Sequence, residues 1–364
     1  MTLYMLRYSE ISLKSRPVRR RWEDALIRQL KDMDKECKVW KSNGRIWIKG
    51  EIPRERLKKV FGIVSFSECE RCALSELSKH VLDFCERKGF SKTESFAVRV
   101  RRKGTHDFTS QQKAAELGAL IQKRFKGPKV DLKHPTKEVF IEIRDDDCYI
   151  FDEVIRGAGG IPLGVEGKVV SLFSGGIDSP VATWMMMKRG CEVIPIYFDI
   201  SPFADEEARR RAERVAEVLA EYQPSFRLRV EKHGNFLNRV KNFLTPKGLE
   251  RYTCILCKRR MYKVAEKLAV KEGAKGLVTG ENLGQVASQT LDNLSVLDGA
   301  CELPVFRPLI GFDKVEIEGL ARKIGTFEVA TLDVGGCKAA PRKPATKSKL
   351  ERILELEMEL GENP

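Results

Sequence analysis

The sequence predicts an α/β protein in which a C-terminal doubly wound parallel sheet follows two small α+β units. Three observations lead there. Lys168-Val-Val-Ser-Leu-Phe-Ser-Gly-Gly-Ile-Asp-Ser-Pro180 reads as a buried strand (Val169 to Phe173), a turn with paired glycines, and a helix whose first turn suits Pro180. Beyond the glycine- and proline-rich connector Gly157-Ala-Gly-Gly-Ile-Pro-Leu-Gly164, buried strands alternate with helices, the texture of a parallel sheet. Ahead of it, hairpins and alternating strands surround only a few helices. The expected divisions are residues 1–60, 61–164 and 165–364.

Composition narrows the class. At 364 residues the chain is long enough for two or three cores, and 42% hydrophobic with 32% charged residues is a soluble, globular balance. No apolar run approaches the roughly 20 residues of a membrane span. The charged start, Met1-Thr-Leu-Tyr-Met-Leu-Arg-Tyr-Ser-Glu10, lacks the apolar core of a signal peptide, so a cytoplasmic protein is expected, with no membrane partner. A net charge of +14 favours an acidic partner, most simply nucleic acid. The ten cysteines form no disulfide framework.

Thr2 to Tyr8 reads as a strand, and the apolar spacing from Pro17 through Trp22, Leu26 and Leu30 as a helix. Val39-Trp40 and Ile46-Trp47-Ile48, joined through Asn43-Gly44, form a hairpin. Arg16, Arg19, Arg20 and Arg21 could touch phosphates or line a solvated helix face. In the second unit Leu74 to Leu82 marks a helix. Ser95-Phe-Ala-Val-Arg-Val-Arg101 alternates, so one face packs while Arg99 and Arg101 project, and Arg102, Lys103 and His106 extend the basic surface. Ser110 is the expected cap of a helix over Gln111 to Ile121, and Val139 to Ile143 and Cys148 to Phe151 are strands. Such a surface suits a folded RNA read through phosphate and shape.

In the last unit Val193 to Phe198, Phe226 to Val230 and Gly276 to Thr279 are strands; Glu206 to Tyr222 and Lys258 to Glu272 are helices. Asp178, Tyr197-Phe198 and Gly280-Glu281 then all fall at carboxyl ends of strands, where such sheets bind ligands. The Ser174 to Ser179 turn aims backbone N–H groups and a helix dipole at one point, an anion site, and its paired glycines adopt angles closed to other residues. It lacks the Lys of a Walker loop and carries Asp178 instead, able to hold Mg²⁺. Cys254-Ile-Leu-Cys257 sits just before the basic run Lys258-Arg259-Arg260, whose charges would favour thiolates. Cys337 could complete a three-thiolate site. Cys69-Glu-Arg-Cys72 reads as structural.

The turn resembles the pyrophosphate loop of ATP pyrophosphatases, Rossmann-like domains that release pyrophosphate and transfer AMP. The whole chain resembles the ThiI family of tRNA sulfurtransferases, the tRNA 4-thiouridine synthetases. The resemblance rests on Arg7-Tyr-Ser-Glu10 with Leu13-Lys14, Phe96 to Arg101, Leu172 to Pro180, and Thr279-Gly-Glu-Asn-Leu-Gly-Gln-Val-Ala-Ser-Gln-Thr-Leu291, although Ser9 stands where Gly is usual. It implies a ferredoxin-like unit and a THUMP domain gripping the tRNA acceptor end, with Arg99, Arg101, Arg102, Lys103 and His106 on the RNA face. It implies nucleotide contacts from Leu172, Phe173, Tyr197, Phe198, Gly280 and Gln289, and from Lys258 or Arg259, beside Ser174, Gly175, Gly176 and Ser179 of the loop. Asp178 and Cys337 would be catalytic. The implied reaction adenylates O4 of uridine 8 with ATP and Mg²⁺, then replaces AMP by sulfur.

The chain stops without the rhodanese-like domain of longer relatives, so a different sulfur route is expected. In that route Cys254, Cys257 and Cys337 hold an iron–sulfur cluster (4Fe–4S with one open iron) fed by sulfide or a persulfide carrier. A Cys337 persulfide without a cluster, a non-catalytic THUMP-type RNA-binding protein, and a different adenylating enzyme remain alternatives. A homodimer is left open.

Overall fold

The computed structural model describes residues 1–362, which divide into two compact units, Met1–Gly160 and Ile161 onward. The first unit holds two five-stranded sheets. One runs in the order Ile155–Arg156, Ser65–Glu68, Thr2–Arg7, Arg45–Gly50, Lys38–Ser42, all antiparallel. The Asn43-Gly44 turn has positive φ at both residues (52° and 74°), the geometry that matches a hairpin to the twist of its strands. This sheet takes in strands at 65–68 and 155–156, so its residues extend well past the break expected at 60. The side chains explain why: Phe66 is buried in register opposite Leu6 and Ile155.

The second sheet orders Glu70–Ala73, Asp147–Phe151, Lys137–Arg144, Ser95–Lys103 and Lys129–Val130. Helices Leu77–Arg87 and Ser110–Arg124 bury Val81, Phe84, Leu117 and Ile121 against it. The cap of the second helix is Thr109 rather than Ser110. Thr109 Oγ accepts the Gln112 N–H at 3.1 Å and Gln112 Oε1 accepts the Thr109 N–H at 2.7 Å, a reciprocal capping box.

The second unit is a fully parallel sheet ordered Arg229–Lys232, Glu192–Asp199, Lys168–Leu172, Leu277–Val278, Val305–Phe306. In chain order this is 3-2-1-4-5. Its switch point lies between Lys168–Leu172 and Leu277–Val278, so the binding crevice opens where those two strands end. One core gathers Val170, Ile196, Val240, Ile255, Leu277 and Leu297; each such side chain contributes about 1.5–3 kcal/mol when fully buried. The third strand starts at Arg229, not Phe226, because Phe226 is taken up earlier, edge-on to Phe173 at 5.6 Å. Among the described residues no helix is long and apolar enough to cross a membrane.

Candidate active site

Strand Lys168–Leu172 delivers Phe173 and the Ser174–Ile177 turn to helix Asp178–Lys188. Ser179 ties the turn together. Its Oγ accepts the Ser174 N–H at 2.8 Å and donates to the Ser174 carbonyl at 3.0 Å. The paired glycines have a different reason from the one expected. Neither lies at positive φ. A Cβ on Gly175 would instead stand 2.8 Å from the Ala212 backbone nitrogen of helix Glu206–Ala220, while one on Gly176 meets nothing closer than Ser174 Oγ at 3.7 Å. Gly280, at the end of the neighbouring strand, is tighter still: its Cβ would come within 2.6 Å of the Ser179 nitrogen. Two strand ends thus meet backbone to backbone at the switch point, which makes the loop and the Gly280 segment one site.

Asp178 opens the helix, and its Oδ1 receives Lys314 Nζ at 3.0 Å. Lys314 escapes the sequence reading. Its one local signal is the Asp313/Glu316 capping box, which sets it at the start of helix Lys314–Ile324. A carboxylate and an ammonium at a helix N-terminus can hold a divalent cation and a phosphate oxygen respectively. Tyr197 and Phe198 are buried at the end of the adjacent strand. Phe173 is buried too, its N–H bound to the Ile196 carbonyl at 2.8 Å, so only its backbone oxygen is left to face a ligand. Gln289 braces the segment, accepting the Asn282 N–H at 3.3 Å and, through its carbonyl, the Gly284 N–H at 2.9 Å.

Behind the crevice lies a buried carboxylate, Glu281, which the sequence places at a strand end without giving it a role. Lys258 Nζ (3.1 Å), Tyr262 Oη (2.6 Å), Thr279 Oγ1 (3.1 Å) and Arg307 Nε (2.9 Å) all donate to it. Burial pushes its carboxyl up, but the Lys258 charge, the Tyr262 hydroxyl and Arg307 outweigh that and hold it below the usual carboxylate range. Lys258 is therefore positioned by Glu281 and half exposed to the crevice. Arg259 is fully buried, its guanidinium bound to Glu357 and the Val296 and Gly299 carbonyls, which removes it as the alternative nucleotide contact. Replacing Glu281 by Gln leaves Lys258 without its carboxylate and Arg307 with only the half-exposed Asp298, and is expected to cost about 3 kcal/mol. Because the folded carboxyl titrates low, its contribution is present above the ordinary carboxylate range and lost as pH falls through the lowered value. Thermal melts of both proteins from neutral to acid pH check this: the gap must be widest near neutrality and shrink in acid.

Cys254 and Cys257 lie inside helix Thr253–Glu272, not before it, three residues apart on one face of its first turn. The helix starts early because Ile255 and Leu256 pack into the core. The expected thiolate activation is reversed. Burial, then the charge of Cys337 (and of Cys254, for Cys257), pushes both thiols up against the pull of Lys258, Cys257 far above the thiol range. The nearby cations are engaged elsewhere: Lys258 with Glu281, Arg259 with Glu357, Arg260 with Glu362 at 2.9 Å. His233 Nε2 stands 3.3 Å from Cys257 Sγ. Cys337 is exposed, on a segment without regular structure. Among the described residues no group of three Cys, His, Asp or Glu side chains converges closely enough to hold a metal ion. The donor set is all sulfur, the chemistry of an iron–sulfur or zinc centre. Cys69, Cys72 and Cys148 are buried in the first unit, consistent with packing.

In the first unit Arg101, Arg102 and Lys103 are exposed as expected. Arg99 is half-buried and engaged, with Nε 2.7 Å from Glu138 and Nη2 2.7 Å from the Leu132 carbonyl. His106 Nε2 lies 2.9 Å from the Asp145 carbonyl. Arg101 borders a groove of about 990 Å³ that also reaches Arg7, Val98, Ala114, Gly118 and Glu142. Arg7 was not among the expected RNA contacts. Its guanidinium lies over the Phe151 ring at 4.9 Å, and burial lowers its pKa to about 10.

Comparison with known proteins covers all three segments. Residues 164–361 match the family described as "Thiamine biosynthesis protein (ThiI)", residues 73–153 the THUMP domain, and residues 3–67 the ThiI ferredoxin-like domain. A "Probable tRNA sulfurtransferase" of Methanothermobacter thermautotrophicus is 42% identical over 362 residues, covering 96% of this chain and 92% of that protein. The protein of the same description from Methanobrevibacter smithii is 43% identical over 96% of this chain and 93% of its own. A 4-thiouridine synthetase crystallised with RNA and bound ATP aligns with a TM-score of 0.88 at 35% identity, over 99% of this chain and 95% of that one.

Proposed function

The chain belongs to the ThiI family of tRNA sulfurtransferases, and from that premise we propose that it converts a tRNA uridine, at position 8, to 4-thiouridine at the expense of ATP. The observation that carries this reading is the switch-point crevice, where the Ser174–Ile177 turn, Asp178 and Lys314 face one another. The triphosphate lies along the turn, its departing pyrophosphate against the amides and the helix dipole. Asp178 binds Mg²⁺ and Lys314 passes from Asp178 to a phosphate oxygen. Lys258, steadied by Glu281, supplies a second cation. Uridine O4 attacks the α-phosphorus, the α–β bridging bond breaks, and pyrophosphate leaves. Sulfur then adds at C4 and AMP departs with the former O4. Tyr197, Phe198, Leu172 and Gln289 wall the adenosine side. Arg101, Arg102, Lys103 and Arg7 hold RNA phosphates.

For the sulfur step, Cys254, Cys257 and Cys337 would be the residues to hold an iron–sulfur cluster, which would supply a metal able to bind a soft sulfide. The all-sulfur donor set and the shared electrostatic neighbourhood of the three thiols support it. The second reading places a persulfide on exposed Cys337. A persulfide carrier supplies its outer sulfur, which attacks C4 as AMP leaves; the thiolate of Cys254 or Cys257 then attacks the Cys337 sulfur, breaking its bond to the uridine's new sulfur and releasing 4-thiouridine, and an external dithiol reduces the resulting disulfide. Anaerobic incubation with tRNA, ATP, Mg²⁺ and sulfide, followed by nucleoside mass spectrometry, tests the reaction. The expected result is 4-thiouridine with one AMP and one pyrophosphate per base. AMP formation that does not depend on tRNA would sink it. Iron and acid-labile sulfide analysis separates the two sulfur routes.

A further inference from the structure

We propose that Arg211 is a positioning residue for sulfur transfer, holding the segment that carries Cys337 against the helix that roofs the nucleotide loop. The inference rests on the role given to Cys337 above. Arg211 lies in helix Glu206–Ala220, whose next residue, Ala212, is the one Gly175 approaches. From there its Nη1 donates to the Leu332 carbonyl at 2.8 Å, across 121 positions of chain. Its Nε is buried without a hydrogen-bond partner among the described residues.

Between Leu332 and Cys337 the chain passes Asp333, Val334 and two glycines. Asp333 Oδ1 accepts the Gly335 N–H at 3.2 Å, Gly335 sits at φ +68°, and a Cβ on either glycine would meet nothing within 4 Å. These are the marks of an arm able to swing. The far end is pinned as well. The Lys338 N–H donates to the Phe203 carbonyl at 2.8 Å, and Ala339 packs with Phe203 and Leu237, beside Cys257. The Lys338–Asp205 ion pair is about three-fifths exposed on both sides and adds little. Cys337 therefore rides a short arm with one end beside Cys257 and the other, just after helix Phe327–Ala330, tied to helix Glu206–Ala220 through the Arg211 guanidinium. That guanidinium reports on the nucleotide loop, since Ala212 and Gly175 are in backbone contact. Without Arg211 the Leu332 carbonyl loses its tie to that helix, and Cys337 is placed less narrowly.

The test uses the full-length chain with tRNA and compares Arg211→Ala, Arg211→Lys and Cys337→Ser. Three quantities are read: tRNA-dependent ATP–pyrophosphate exchange, 4-thiouridine yield, and Cys337 cross-linking to Cys254 or Cys257 by a short bifunctional alkylating agent. Monofunctional alkylation of Cys337 serves as the control for access. Arg211→Ala is expected to keep exchange within about twofold while thiolation falls on the order of 10- to 100-fold, the cost of a misplaced reacting group. Cross-linking falls with it, and Arg211→Lys, which keeps a donor and the charge, restores much of both. Exchange and thiolation falling together in Arg211→Ala and Arg211→Lys would overturn the proposal, because the arginine would then serve the nucleotide site or the fold. A fully active Arg211→Ala beside an inactive Cys337→Ser overturns it alone. A fully active Cys337→Ser removes the role of Cys337 and this proposal with it.

Discussion

Asp178→Asn is expected to lower ATP–pyrophosphate exchange on the order of 10³-fold while the protein stays folded. The asparagine keeps the shape and can still accept a hydrogen bond, but it loses the charge that would hold Mg²⁺ over the departing pyrophosphate. Removing one preorganised electrostatic group from an active site costs about 10²–10³ in rate. Stability changes little, because losing a carboxylate from a first helical turn costs only about 0.3–1 kcal/mol. Lys314→Ala is expected to show a loss of similar size, since its Nζ stands 3.0 Å from Asp178 Oδ1 and serves the same phosphate. The double variant should fall far short of the product of the two losses, as residues acting as a unit do. Multiplicative losses, or exchange surviving in Asp178→Asn, would show that the two side chains do not share a triphosphate.

Cys337→Ser is expected to abolish 4-thiouridine formation while leaving ATP–pyrophosphate exchange within about twofold of the parent, because Cys337 is exposed and lies outside the Ser174–Ile177 turn. Cys254→Ser and Cys257→Ser separate the two sulfur routes. With a cluster, each serine variant loses bound iron and acid-labile sulfide together with thiolation. With a persulfide, Cys337→Ser alone is inactive, and Cys254→Ser or Cys257→Ser gives at most partial loss because either thiol can resolve the disulfide. Half-buried, neutral thiols at 254 and 257 also predict that iodoacetamide reaches the exposed Cys337 first in metal-free protein. Peptide mass spectrometry after brief labelling reads the order directly.

The parts of this site legible in the sequence are those written contiguously. Leu172 to Pro180 carries strand, turn and helix start in nine residues, and the alternation after Gly164 is enough to place its strand in a parallel sheet. What stays hidden depends on partners far along the chain. Lys314 meets Asp178 across 136 positions, and nothing local distinguishes it from any lysine after a capping aspartate. The run Lys258-Arg259-Arg260 reads as thiol activation only until its carboxylates are known, and these come from Glu281, Glu357 and Glu362. Glycine misleads in a subtler way. Gly175 is required by a neighbouring helix that approaches too closely for a side chain, a constraint that paired glycines in a turn do not reveal. The Arg99 strand face looks free because alternation carries no information about Glu138, which lies on the paired strand.

The pairing of Arg259 with Glu357 also bears on how the chain reaches this state. The arginine that anchors the cysteine-bearing helix is made 98 residues before its counter-ion. Until helix Leu350–Glu359 emerges from the ribosome, that guanidinium has no carboxylate to enter the interior with, and Ile353 and Leu356 are missing from the core. Closure of this unit therefore waits on helix Leu350–Glu359, which follows every other part of its core in the chain. Until then the half-buried thiols of Cys254 and Cys257 lie on a helix whose anchoring ion pair has not formed.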